Sequence, residues 1–312
     1  MKWFLTGVSG YIGRHLAIGF NHAGFEVIGI DRKSLIGPRE LTNNVKFYLG
    51  DIRDEKVVQS IIFKEKPDGI VNLAALKSVS GSYQNSQEYG EVNHMGAKNL
   101  LDLAISGNVS SFIQASTAAV YAPQLNGVGH EFSDTQPVSP YGKTKLAAED
   151  LVTAATQANL ISGLSLRYFN VLGSSEPSLR DESRDNIVPM VLDKLVNNLE
   201  PLIFGDDYPT VDGTCVRDYI HVLELVNAHV LAAKKLNIES LPTVLNVGTG
   251  KGTTVLQVIN EILLQKKSRL HPKILERRLG DQSTLIASTE LAEKTLGFKA
   301  EIGLEKMIES AI

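Results

Sequence analysis

Short apolar runs alternate with longer amphipathic stretches through the first half of the chain. The runs are Trp3 to Leu5, Val27 to Ile30, Val45 to Leu49, Gly69 to Leu73, Phe112 to Ala115 and Leu164 to Tyr168. Between them, Tyr11 to Asn21, Glu88 to Ile105 and Tyr141 to Ala158 repeat apolar residues every three or four positions, the spacing of a helix with one buried face. Strand, helix, strand in this order predicts an α/β protein whose parallel sheet is covered on both sides. After Tyr168 the pattern loosens, with Gly, Ser and Pro scattered from Gly173 to Pro189 and polar loops dominating until Val216. A second, smaller lobe is expected there. The run Thr243 to Val247 reads as one more sheet strand, so the chain is expected to return to the first lobe before finishing in the second. The predicted division is 1–172 with 213–250 for the sheet lobe, and 173–212 with 251–312 for a smaller, discontinuous one.

Composition narrows the partners. With 312 residues, 43% hydrophobic and 21% charged, the chain has enough apolar residues for a substantial core. A formal net charge of −4 offers no concentrated basic surface for nucleic acid, so small molecules are the expected ligands. Cys215 is the only cysteine, which excludes an intrachain disulfide and a multi-thiolate metal site and fits a reducing cytoplasm. The seven histidines show no metal-ligand spacing, and His221 and His229 read as structural. The apolar start, Met1 through Val8, is too brief for a signal-peptide core and reads as a buried strand. No stretch approaches the ~18 apolar residues of a membrane span.

Candidate chemistry begins at Thr6-Gly7-Val8-Ser9-Gly10-Tyr11-Ile12-Gly13, between the first strand and the first helix. Glycines there allow a tight turn and let a diphosphate approach backbone N–H groups at the positive end of the helix. Alone, such a segment fits a plain strand-to-helix turn equally well. Asp31 strengthens the nucleotide reading, because it closes the second strand about twenty residues on. A carboxylate there accepts from both ribose hydroxyls and repels a 2′-phosphate, favouring NAD over NADP. Arg32 beside it is an opposing signal, since a guanidinium pairs with such a phosphate. In Gly50-Asp51-Ile52, Asp51 sits where an adenine contact would be useful, although a lone surface Asp also serves as a helix cap.

Tyr141-Gly142-Lys143-Thr144-Lys145 puts Tyr141 and Lys145 one turn apart on one helix face. Ser116-Thr117 ends the fifth strand. A free tyrosine has a pKa near ~10, and a nearby ammonium together with a positive nicotinamide ring would favour phenolate. Thr117 would pass the proton between a substrate hydroxyl and Tyr141, and Lys145 would also hold ribose hydroxyls. Taken alone, Thr117 also fits a hydroxyl that satisfies backbone at a strand end.

The glycine spacing at 7, 10 and 13 with the Tyr141/Lys145 pair resembles the extended short-chain dehydrogenase/reductase family, a Rossmann-type doubly wound fold. From Gly205 to Val222, GDDYPTVDGTCVRDYIHV, the chain is similar to the UDP-glucose 4-epimerase family within it. Asn72 to Val79, Val120-Tyr121, Tyr168-Phe169-Asn170, Asn186, Arg278 and Gly280-Asp281 carry the resemblance further. It implies cofactor positions at Gly7, Gly10, Tyr11, Ile12, Gly13, Asp31, Asp51, Ile52, Lys77, Asn93, Tyr141, Lys145 and Tyr168, with Tyr168 beside the nicotinamide. It assigns Asn170, Asn186, Phe204, Arg217, Arg278 and Asp281 to the UDP half of a substrate. Two arginines suit a diphosphate, because guanidinium forks match phosphate oxygens. For Phe204 alone, core packing is the other reading.

The implied reaction is 4-epimerisation of a UDP-hexose with NAD, with Thr117, Tyr141 and Lys145 as catalytic residues and a transient 4-keto sugar that turns over within the site. Related dehydratases carry Asp-Glu after the catalytic Thr. Here Ala118 and Ala119 occupy those places, and methyl groups transfer no protons, so 4,6-dehydration is disfavoured. Leu285 replaces the tyrosine of many family members at the sugar pocket wall, and the chain ends soon after Ile302-Gly303-Leu304. Gly248 to Thr253 lacks the spacing of a phosphate loop and is expected to turn the chain into a helix. The resemblance also suggests a homodimer through the helices at Glu88 to Ile105 and Tyr141 to Ala158. UDP-N-acetylhexosamine or UDP-uronate epimerases would share the UDP residues. A non-catalytic NAD(H) sensor would have little need of the intact proton relay.

Overall fold

The computed structural model describes residues 1–236, 238–278 and 280–312. Seven strands form one all-parallel sheet: β1 (Lys2–Thr6), β2 (Glu26–Asp31), β3 (Val45–Leu49), β4 (Gly69–Asn72), β5 (Ser111–Thr117), β6 (Ser162–Tyr168) and β7 (Val244–Val247). Their spatial order is β3-β2-β1-β4-β5-β6-β7. The order reverses between β1 and β4, and in such sheets ligands bind in the crevice beyond the carboxyl ends at that switch point. The helices that connect these strands are α1 (Tyr11–His22), α2 (Glu55–Glu65), α3 (Gly96–Ser106), α4 (Pro140–Gln157) and α5 (Val222–Lys235).

Alternation along β1 shows how the sequence builds the layers. Trp3 and Leu5 join one core cluster with Leu16 and Phe20 of α1 and Leu225 and Ala228 of α5. Phe4, between them, joins the opposite cluster with Val58 and Ile62 of α2, Leu100 of α3 and Val152 of α4. Successive side chains of a strand point to opposite faces, so a run that is apolar at every position needs cover on both. Each fully buried large apolar side chain contributes about 1.5–3 kcal/mol. The sheet is therefore a stiff frame, and its loop-bearing edge inherits that stiffness.

Two smaller sheets lie beyond that edge. Val216–His221 pairs with Gly252–Thr254 and Thr284–Ala287, Thr284–Ala287 pairs with Val128–Gly129, and Asn170–Leu172 pairs with the far half of Val216–His221. Leu202–Phe204 pairs with Lys273–Leu275. A separate core holds this region, with Leu172, Val188, Ile203, Tyr219, Ile259, Ile262 and Ile308 buried together. The 248–253 segment runs into the short strand Gly252–Thr254 before its helix, Val255–Gln265. The buried Asp218 carboxylate holds that turn, accepting from Thr249 N (2.8 Å), Thr249 Oγ1 (2.7 Å), Gly250 N (2.8 Å) and Ala287 N (3.1 Å).

Candidate active site

The glycine turn sits at the switch point. Gly7 has φ +67°, and a Cβ there would lie 2.9 Å from Ala74 N, in the loop after β4. A Cβ on Gly13 would meet the Gly7 carbonyl at 2.2 Å, so α1 packs directly on the turn. Helix α1 starts after Gly10 with no side-chain cap and no acidic residue in its first turn. Its leading N–H groups and positive dipole end are therefore open to a diphosphate. Asp31 braces the turn by accepting from Ser9 N and Lys33 N, both at 3.0 Å. Arg32 lies 3.8 Å from the Asp51 carboxylate, which Arg53 also grips. Those bonds from Arg53, more than the charges around them, hold the Asp51 carboxyl below its ordinary range. Ile52 is buried alongside. The Tyr11 phenol is committed to the Gly173 carbonyl at 2.5 Å, leaving the backbone of Tyr11 and Ile12 to face a ligand.

Around the loop after β4 the assigned polar residues are tied to the frame. Asn93, in a π-helical turn at Gly90–Met95, accepts from Leu76 N (2.7 Å) and donates to Leu76 O (2.9 Å) and Thr144 Oγ1 (3.2 Å). It clamps that loop against α4. Lys77 reaches Asp181 at 3.9 Å, and the same carboxylate accepts from the Asn186 amide. Asp181 thus joins a residue assigned to the cofactor with one assigned to the substrate. The sequence reading did not single it out.

Thr117 ends β5 and faces Tyr168 across the ladder to β6. Its hydroxyl caps the short turn Ala118–Val120 by accepting from Ala119 N at 3.2 Å. Ser139 caps α4 by accepting from Gly142 N (3.0 Å), and Pro140 takes the first position, where its missing N–H costs nothing. Gly142 is required there, since a Cβ would lie 2.5 Å from the Ala119 carbonyl. This close approach brings Tyr141 to the end of β5, where burial raises its pKa and a hydrogen bond to Thr117 lowers it. Lys145, 3% exposed, is pushed down to about 8 by burial, with the Glu149 charge acting the other way. The Tyr89 ring stands edge-on to Tyr141, with centroids 6.5 Å apart.

Tyr168 contributes from beneath. Its hydroxyl pairs with His229 Nε2 at 2.6 Å, and His229 Nδ1 lies 2.8 Å from the Leu225 carbonyl. A carbonyl only accepts, so Nδ1 carries the proton and Nε2 accepts from the phenol. Burial pushes His229 down to about 4, which keeps it neutral in that role.

The groups assigned to UDP lie on the strands of the small sheets and in the segments around them. Arg217 Nη1 donates to Val216 O (2.9 Å) and Gln282 O (2.7 Å), and its Nη2 lies 3.5 Å from Asp281. The Arg278 guanidinium lies 3.7 Å from the centre of the Phe204 ring, a cation–π contact. Phe204 is therefore partnered by a surface arginine and is no purely internal residue. Asn170 is exposed at the start of its strand. Leu285 pairs in register with Arg217 and is buried with Ala118, Val120, Tyr121, Phe169 and Ala287, which places it against the turn that follows Thr117. Cys215 is buried, and burial raises its thiol.

Glu149 escaped the sequence reading. It follows Lys145 by one turn of α4, with Arg167 and Ser116 as partners. Its signal was present: a carboxylate one turn after Lys145, on the α4 stripe that also carries Ala148 and Val152.

Known proteins match this arrangement. Residues 3–248 match the family model of the NAD dependent epimerase/dehydratase family. The chain is 37% identical to the UDP-glucose 4-epimerase of Halalkalibacterium halodurans, across 100% of this chain and 94% of that one. The crystal structure of UDP-glucose-4-epimerase from Stenotrophomonas maltophila with bound NAD and formylated UDP-arabinopyranose superposes with a TM-score of 0.93 at 33% identity, covering 100% of this chain and 96% of that chain. The UDP-Glc/GlcNAc 4-epimerase of Campylobacter jejuni gives a TM-score of 0.86 at 32% identity, covering 99% and 97%.

Proposed function

From the chain's membership of the NAD dependent epimerase/dehydratase family, and within it of the UDP-glucose 4-epimerases, we propose that it interconverts UDP-glucose and UDP-galactose. The observation that carries this reading is the meeting of Thr117 and Tyr141, with Lys145 one turn behind, at the carboxyl edge of the parallel sheet. The glycine turn opens on the same edge.

NAD fits the residues present. The uncapped start of α1 would take the diphosphate, Asp31 the adenosine ribose and Asp51 with Ile52 the adenine side, while Lys77 and Asn93 would line the cofactor and Tyr168 would lie beside the nicotinamide. With Arg32 directed to Asp51, Asp31 faces the ribose without a competing guanidinium. NAD held there would supply the hydride acceptor and donor for C4 of the sugar.

The remaining steps belong to the chain. Tyr141 takes the proton of the C4 hydroxyl, and Thr117 bridges the two oxygens so that the proton moves along a short path. Lys145 holds ribose hydroxyls and its positive charge favours phenolate. Arg217 and Arg278 clamp the diphosphate, Asp281 the uridine ribose, and Asn170, Asn186 and Phe204 the rest of the UDP anchor. A 4-keto sugar held by UDP alone is free to turn. Ala118 and Ala119 offer no acid to expel a C6 hydroxyl, which keeps the outcome at epimerisation.

The homodimer belongs to the same proposal. The outer stripe of α4, with Lys143, Leu146, Ala147 and Asp150, faces away from the sheet beside Gln136 and Pro137. Among the described residues no helix is long and apolar enough to cross a membrane. A cytoplasmic setting in galactose metabolism accords with the substrate pair. We divide the lobes at 1–172 with 213–250, and 173–212 with 251–312. The deciding experiment is incubation with UDP-glucose, UDP-galactose and their N-acetyl and uronate analogues, followed by chromatography. Interconversion of the first pair supports the proposal, and turnover of only an analogue assigns the enzyme to another UDP-sugar.

A further inference from the structure

Lys145 and Glu149 stand one turn apart on α4, each 3% exposed. The Glu149 carboxylate accepts from Ser116 Oγ at 2.7 Å and Arg167 Nε at 3.1 Å, and pairs with Arg167 Nη2. Arg167 in turn donates from Nη1 to the Glu131 carbonyl (3.0 Å) and lies over the Tyr121 ring, 4.7 Å from its centre. Desolvation often cancels the attraction within a buried ion pair, so stability alone gives little reason for one at this depth. Its location gives a better one. Ser116 is the residue before Thr117, so one carboxylate bonds the strand end that carries Thr117 and belongs to the helix that carries Tyr141 and Lys145.

The helix itself carries Tyr141, Lys143, Glu149 and Asp150, and the elements packed on it add Arg167 and Tyr168 from β6, Tyr83 from Val79–Gln84, Glu88 and Tyr89 from Ser86–Tyr89, Glu91 and His94 from Gly90–Met95, and Lys98 and Asp102 from α3. Of these, the Tyr141, Tyr168 and Tyr89 phenols adjoin one another. Burial raises all three phenols, so they are neutral in the free protein at pH 7. Glu149 is the charge one helical turn from the ammonium, and it acts against the lowering that burial imposes.

We propose that Glu149 is the positioning residue of this site. Its carboxylate, held by Arg167 and Ser116, fixes the spacing between Thr117 and the Tyr141/Lys145 turn and places a negative charge one helical turn from the buried ammonium. The inference rests on the reading of Thr117, Tyr141 and Lys145 as the catalytic set, and its test has a readout independent of turnover. In NAD-loaded protein carrying lysine labelled with 13C at Cε, the Lys145 resonance is the one lost in Lys145→Arg. In Glu149→Gln its titration midpoint is expected to fall by about one pH unit, as loss of an adjacent opposite charge requires. The alkaline limb of UDP-glucose turnover is expected to move down with it. If Glu149→Gln fails to fold because Arg167 is stranded, Glu149→Gln/Arg167→Met removes the pair without leaving a bare charge, and a smaller fall in the same direction is expected. An unchanged Lys145 midpoint in either folded variant overturns the proposal. A wild-type protein inactive on every UDP-sugar tells against the epimerase reading and leaves the midpoint measurement standing.

Discussion

Tyr141 carries two opposed influences: its surroundings withdraw it from water, and the Thr117 hydroxyl favours its ionised form. Only the phenolic oxygen answers to both, so Tyr141→Phe keeps the ring packing and removes the base. Turnover is expected to fall by ~10²–10⁴-fold while the affinity for UDP stays within a factor of a few, measured by initial rates and calorimetric titration. Wild-type rates in that variant would remove Tyr141 from the mechanism. Leu285 belongs to the same scale. It is buried in one cluster with Ala118 and Val120 of the turn after Thr117. Leu285→Tyr is expected to lower turnover of UDP-N-acetylglucosamine while sparing UDP-glucose. Equal loss of both, or no change in either, would mean that Leu285 only packs. These residues were legible because local rules locate them: a strand end, a four-residue helical spacing, a matched motif. Glu149 left only its spacing after Lys145 in the sequence, because its partners Ser116 and Arg167 lie 33 and 18 positions away and only the fold brings them together.

Among the elements, the turn between β1 and α1 depends on the absence of side chains. A methyl at position 13 would meet the Gly7 carbonyl at 2.2 Å and Val8 Cα at 2.8 Å, all backbone, so no rotamer change relieves it. Gly13→Ala is expected to destabilise the protein by about 1–3 kcal/mol. It should also empty the protein of NAD, read from the nucleotide released on denaturation, whereas the wild type should release NAD without any having been added. NAD retained at wild-type level in the variant would show that the turn does not hold the diphosphate. Sequence periodicity found α1, α4 and the strands of the large sheet, because each carries its own buried stripe or two-sided apolar run. It predicted one helix over Glu88 to Ile105. The structure is helical without interruption from Ser86 to Ser106, and a π-helical turn at Gly90–Met95 joins Ser86–Tyr89 to α3. Apolar spacing reports which face is buried and says little about hydrogen-bond register, and the Asn93 clamp sits in the bulged turn. The turn at Gly248 showed the same limit, since a three-residue strand is too short to display alternation.

Across the whole molecule, buried ionisable groups set the response to acid. Burial pushes His221 and His229 down to about 4 in the folded protein, against about 6.5 when unfolded. The unfolded chain therefore binds more protons between those two values. Stability is full above pH 6.5 and falls as the pH drops toward 4, by up to about 2 kcal/mol per histidine at pH 5. Protonation of His221 would also cost it the Leu223 N–H that its Nδ1 accepts at the head of α5. Denaturant unfolding from pH 8 to pH 4 measures this slope, and a flat profile would contradict it. The doubly wound sheet was legible at this scale. The small sheets were not, because their seven strands are scattered from Val128 to Ala287 and most have only two to four residues. They nevertheless bring Arg217 and Leu285 into register opposite the carboxyl edge of the large sheet, where the proposed chemistry needs them. That chemistry moves hydride between the sugar and a cofactor that keeps it, so no solvent hydrogen should enter at C4. Incubation of the purified protein with UDP-glucose in D2O, without added NAD, should therefore yield UDP-galactose that retains protium at C4 by NMR; deuterium at C4, or no UDP-galactose, would contradict it.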